Sequence, residues 1–209
     1  PPSGWARISF VRVLPDGPMR LHQKGVRGPL VVQAASGEGG PCVHIEDEGA
    51  QQGLQGMGSQ AKCQPGPNAL GVSRTIEIDA TGGPRFGRLQ YRDHDFLQEG
   101  EVVLTFDDGP HPTFTPMIHD ALDEHCTKAT FFILGQRALS FPGQLRDVGK
   151  RGHTIGTHTW SHQDLAKLDP IAAKAEIELG ISAVQKAFGA PAAPFFRFPY
   201  LSSPRGMQT

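Results

Sequence analysis

Runs of lysine or arginine are missing from this sequence, as is any excess of charge. Its 20 basic and 21 acidic residues leave a net charge of −1 and a pI near 6.9. A polyanion-binding surface therefore has no electrostatic footprint, and no nucleic-acid partner is expected. Long apolar runs are also lacking. No stretch approaches the roughly 18 residues needed to cross a bilayer as a helix, so no membrane span is expected. The three cysteines, Cys42, Cys63 and Cys126, nowhere form a CxxC pair, which argues against a zinc knuckle or a thioredoxin-like centre. Cys63 and Cys126 could pair in an oxidising compartment, leaving Cys42 odd; three free thiols in a reducing compartment is the equal alternative. No basic–apolar leader follows Pro1, so no signal peptide is visible.

Residues 1–60 hold 11 glycines and 6 prolines with only short apolar bursts such as Ile8–Val13. Such a composition buries little, and a Gly/Pro-rich segment of low order is expected there. Residues 61–100 form a lead-in, in which Ser73–Asp79 alternates polar and apolar as a half-buried strand does and 81–84 closes it as a turn. From residue 101 to 209 strands and helices alternate. Strands are expected at Glu101–Phe106, Ala129–Leu134, His153–Thr157 and Pro194–Phe198, and helices at Thr115–His125 and from Leu139 to Gly149. The longest helix opens at Asp169-Pro170, carries Ile177, Ile181, Val184 and Phe188 on one face, and stops at Gly189. About four βα units imply an α/β fold with a parallel sheet, open or curled into a barrel.

In such folds reactive groups gather at the carboxyl ends of strands. Thr105-Phe106-Asp107-Asp108-Gly109-Pro110 puts two adjacent carboxylates at the first of these ends. Asp, Gly and Pro are also common in ordinary turns, but a turn needs neither two acids nor a buried strand feeding it. His158-Thr159-Trp160-Ser161-His162 supplies two imidazoles four residues apart, which share a face if the loop makes a helical turn. One carboxylate and two imidazoles make a facial metal site, and the spare carboxylate is then free to act as a base. Arg197-Phe198-Pro199-Tyr200 ends the fourth strand, with Arg197 available to hold a carboxylate ionised. Trp160 is expected to pack rather than to serve as a sugar platform. The remaining histidines, His119, His125 and His153 among them, are expected at the surface or in packing.

Together these three motifs resemble the polysaccharide deacetylases of carbohydrate esterase family 4, the NodB-homology family, over residues from about 69 to 205. The resemblance implies a distorted (β/α) barrel, incomplete here, and metal-dependent removal of N- or O-acetyl groups from carbohydrate polymers of the chitin, peptidoglycan or xylan type. It implies that Asp108, His158 and His162 hold a divalent metal, usually zinc. Asp107 would then be the general base, Arg197 would orient it, and the backbone N–H of Tyr200 would help bind the oxyanion. Family members act mostly in the cell envelope or outside the cell, which sets the expected location. The family's fourth and fifth motifs, including the histidine that protonates the leaving group, have no counterpart before Thr209. Loss of a general acid costs about 10²–10⁴ in rate, so this polypeptide alone is expected to be poorly active. An inactive carbohydrate-binding remnant, or a fragment without independent function, is the alternative.

Overall fold

The computed structural model describes residues 5–12, 63, 69–79 and 97–202. Two three-stranded sheets organise them. In the first, β1 (Trp5–Arg12) is central and pairs antiparallel with β2 (Arg74–Asp79) and β3 (Glu101–Val102). In the second, β4 (Thr105–Gly109), β5 (Thr130–Ile133) and β6 (Thr154–Thr157) run parallel in that order. Helix α1 (Phe114–Glu124) joins β4 to β5, and α2 (Gly135–Ser140) with α3 (Pro142–Lys150) joins β5 to β6. Helix α4 (Pro170–Phe188) follows β6. The expected α/β fold with a parallel sheet and crossover helices is present.

Local chemistry accounts for several boundaries. Asp169 caps α4 by accepting the N–H groups of Ile171 and Ala172, at 2.9 and 3.0 Å. Pro170 takes the first helical position, where its missing N–H costs nothing. Gly189 ends the helix at φ 84°, a left-handed conformation that a Cβ would penalise. The strands of the parallel sheet bury Phe131, Ile133 and Ile155 against Leu122, Leu145, Val148 and Val184 from the helices. Among the described residues no helix is long and apolar enough to cross a membrane.

Within the segment 1–60 expected to carry little order, the described stretch Trp5–Arg12 is the central strand of the first sheet, with Ile8, Ser9 and Phe10 buried; the rest of that segment lies outside the described residues. Three sequence expectations are corrected. The strand expected at Glu101–Phe106 is split, because Glu101–Val102 serves the antiparallel sheet and Thr105–Gly109 the parallel one. The helix expected from Leu139 to Gly149 breaks at Phe141, where the chain turns to start α3 with Pro142. The fourth strand at Pro194–Phe198 is reduced to one parallel bridge, Thr157 to Phe196. Flanking backbone bonds, Thr157 N–H to Phe195 O at 2.9 Å and Arg197 N–H to Thr157 O at 3.0 Å, still hold it on the edge of β6. The turn expected at 81–84 lies outside the described residues.

Cys63 and Cys126 form a disulfide, with Cα atoms 5.6 Å apart, which settles the pairing that the sequence left open. Glu101 anchors the first sheet. Its side chain is fully buried and takes hydrogen bonds from Arg74, from the Ser73 hydroxyl and from the Gln98 N–H. Burial opposes its ionisation, but those donors outweigh it and hold the carboxyl below its usual range.

Candidate metal-dependent active site

The acidic doublet sits on an irregularity of β4. Phe106 pairs with Phe131 but Gly109 with Ile133, so β4 spends one residue more than β5 over this interval. Asp108 takes φ 65° within that stretch. A bulge re-aims side chains that a regular strand would alternate, and it sends the two carboxylates to different partners. Asp107 Oδ1 accepts from the Arg197 guanidinium at 2.9 Å. Asp108 Oδ1 lies 3.4 Å from His158 Nε2 and 3.3 Å from His162 Nε2.

The imidazoles leave the carboxyl end of β6 in a tight loop. His158 is buried, and its N–H continues the sheet by donating to Ile133 O at 3.0 Å. Its ring Nδ1 donates to the backbone carbonyl of Arg197 at 2.7 Å, which leaves Nε2 facing Asp108. Thr159 and His162 both adopt left-handed backbone, φ 68° and 66°. Each such residue costs of order 1–3 kcal/mol, and the structure around it must over-determine the conformation. Here the His162 N–H donates to Thr159 Oγ1 at 3.2 Å. From α2, the N–H groups of Gly135 and Gln136 donate to Thr159 O and Trp160 O at 3.0 and 3.1 Å. Trp160 packs beside Gly135, where an added Cβ would come within 2.7 Å of its ring, in keeping with the packing role expected of it.

The third motif ties the other two together. Arg197 reaches Thr105 Oγ1 and Asp107 Oδ1, both at 2.9 Å, and its guanidinium lies 4.2 Å from the centroid of the Phe132 ring. Tyr200, at φ 57°, sets its ring edge-on to His162 at 4.7 Å. A cleft of about 330 Å³ is lined by Asp107, Asp108, His158, His162, Arg197, Phe198, Tyr200 and Leu201. All six residues singled out in the sequence therefore meet in one place.

The donor set fits a divalent cation. Ligand atoms about 2.0–2.1 Å from a tetrahedral zinc stand about 3.3 Å from one another. The separations of 3.3 and 3.4 Å from Asp108 match that spacing and exceed the 2.7–2.9 Å or so of a charge-assisted hydrogen bond. Among the described residues this is the one cluster of three such groups whose ligand atoms lie within 4.8 Å of one another. The neighbouring imidazoles, His158 first and then His162, hold the Asp108 carboxyl below its usual range against the opposing effect of burial. An anionic carboxylate is what a cation site requires.

A family model for polysaccharide deacetylase matches residues 96–209, which include all three motifs. The chain belongs to the polysaccharide deacetylase family. Among the family's characterised members, a peptidoglycan-N-acetylglucosamine deacetylase of Bacillus cereus is 52% identical over 71 residues, 34% of this chain and 26% of that protein. A chitooligosaccharide deacetylase of Azorhizobium caulinodans is 39% identical over 106 residues, 49% of each chain. The solved peptidoglycan deacetylase PdaC of Bacillus subtilis is 35% identical, with a TM-score of 0.48 over 51% of this chain and 52% of that one. The chain thus spans about half the length, or less, of the curated relatives it matches.

Two contributors escaped the sequence reading. Glu176 and Gly180 of α4 both touch the His158–His162 loop, Glu176 through Ser161 and Gly180 by close approach to Thr159. A glycine inside a helical pattern was the available signal for the second, since it often marks close packing. Glu176 had none, because an acid on a helix is ordinarily solvated.

Proposed function

We propose that this chain carries the metal site and base of a hydrolase that removes acetyl groups from acetylated carbohydrate polymers. N-acetylated glycans of the peptidoglycan or chitooligosaccharide kind lead as substrates, because the relatives named above act on them. The observation that carries the reading is the division of labour in the doublet: Asp108 joins two imidazoles at cation-ligand spacing while Asp107 is held apart on Arg197.

Asp108, His158 and His162 would hold the ion, with zinc the first choice for a two-histidine, one-carboxylate set. When bound, a divalent ion supplies a Lewis acid that polarises the acetyl carbonyl and acidifies water. Arg197 occupies Asp107 Oδ1, which leaves Oδ2 to accept the proton of an attacking water. The same ion pair and the Thr105 contact fix the direction in which that oxygen points. The backbone N–H of Tyr200 is the chain's own candidate donor to the oxyanion. Phe198, Tyr200 and Leu201 give the cleft an apolar wall for a sugar ring. We place the protein in the cell envelope or outside the cell; the Cys63–Cys126 disulfide supports an oxidising compartment.

The test is acetate release by the zinc-loaded chain from chitooligosaccharide, peptidoglycan and acetylated xylan, beside D108A. Release that depends on Asp108 is expected. Glycan binding without acetate release would select a carbohydrate-binding role instead, and a chain that binds no divalent ion would remove the basis of the reading.

A further inference from the structure

The loop bearing His158 and His162 is held from behind by one carboxylate of α4. Glu176 Oε2 accepts the backbone N–H of Ser161 at 2.9 Å, and Glu176 Oε1 accepts the Ser161 hydroxyl at 2.7 Å. Ser161 immediately precedes His162. Thr159, two residues before it at φ 68°, and His162, directly after it at φ 66°, are in a backbone region that side chains with a Cβ rarely adopt. Such a loop keeps its shape only if outside contacts impose it.

The outside contacts come from two helices. The N-terminal N–H groups of α2 take the carbonyls of Thr159 and Trp160. Helix α4 closes the other side: a Cβ on Gly180 would lie 2.5 Å from the Thr159 carbonyl carbon. With no side chain at 180, α4 comes near enough for Glu176, one turn earlier, to reach Ser161 with both oxygens. Glu176 itself makes no hydrogen bond or ion pair with Asp108, His158 or His162. Lys174 and Glu178, exposed on the same helix, pair with each other at 3.6 Å.

We infer that Glu176 is a positioning residue: its two-oxygen grip on Ser161 sets the backbone that aims His162 Nε2 at the cation shared with Asp108 and His158. The inference rests on the metal-site reading given above. Hydrogen-bond partners of ligand-bearing groups typically govern about 10–100-fold in metal affinity. A glutamine at 176 keeps an acceptor for the Ser161 N–H and a donor for its hydroxyl oxygen, so it retains the grip without the charge.

The test is zinc titration of the full chain by calorimetry, with thermal unfolding of each metal-free variant. E176A is expected to weaken zinc binding by about 10–100-fold. E176Q should stay within about threefold of the parent, and E178A, which removes the same charge from the same helix, should also. S161A keeps the N–H bond and loses only the hydroxyl bond, so a few-fold loss is expected; it carries the test if E176A does not fold. Equal zinc affinity in E176A and the parent would overturn the inference, as would equal loss in E176A and E176Q, or, where only S161A folds, parental affinity in S161A. A parent that binds no zinc overturns the metal-site reading itself, a separate result from parental binding that Glu176 leaves untouched.

Discussion

Acid should weaken this fold through one histidine far from the cleft. His153 is only 6% exposed, with its ring 5.2 Å from Phe131 and 5.4 Å from His119 by centroid. Its Nδ1 accepts the Ala129 N–H at 3.4 Å, and its Nε2 is buried with no hydrogen-bond partner among the described residues. Burial first, then the positive charges of Lys128, His119 and Arg151, push its pKa down to about 3, with Asp147 opposing. A folded pKa below the unfolded value of about 6.5 means that the unfolded chain takes up this proton first as pH falls. The associated stability is therefore complete above about pH 6.5 and is lost as pH falls toward 3. At about 1.4 kcal/mol per unit, the loss reaches about 2 kcal/mol near pH 5 and about 4–5 kcal/mol near pH 3. The assay is urea unfolding of the parent and H153N near pH 7.5 and near pH 5, since asparagine keeps an acceptor for Ala129 but does not titrate. The parent should lose about 2 kcal/mol more than H153N between the two conditions. Equal losses would refute the reasoning, whatever the absolute stability of the variant.

Replacing Asp108 by alanine removes one of the three proposed cation donors and should weaken zinc binding by more than about 100-fold in calorimetry, with secondary structure intact by circular dichroism. R197M should lower acetate release by about 100-fold while zinc affinity stays within a few-fold, because it frees Asp107 but keeps the backbone carbonyl on His158. G180A pushes a methyl to within 2.5 Å of Thr159 and should cost about 1–3 kcal/mol in thermal unfolding and weaken zinc binding as well. Replacing both Cys63 and Cys126 by alanine opens a loop of 63 residues' separation, and the chain-entropy relation puts the cost at about 4 kcal/mol in denaturant unfolding.

What the sequence made legible was whatever local chemistry decides. Asp169, Pro170 and Gly189 bound α4 as capping physics requires, and the three motifs fall at strand ends, as α/β architecture requires. The rest depended on tertiary contacts. Strand β1 lies in a segment whose composition argues for little order, and it exists because β2 and β3 supply partners on both edges. The buried side of α4 was sought in Ile177, Ile181, Val184 and Phe188, but Ala173, Gly180, Ala183 and Ala187 join Val184 there, because the helix packs close enough for small side chains to matter. The division of the acidic doublet between two partners comes from the bulge and the left-handed Asp108, which exist only once β4 pairs with β5. His119 and His153 do pack, as expected, but nothing in the residue order marks the stacking of their rings on each other in the core.

Arg197 works from both ends, its carbonyl on His158 and its guanidinium on Asp107. The proposed ligand His158 and the proposed base Asp107 are therefore fastened by a single residue, whose segment hangs on the edge of β6 by a few main-chain bonds. If that edge peels away, both side chains lose an anchor in the same event. Amide hydrogen exchange at Thr157 and Arg197 would then report the rate of that opening.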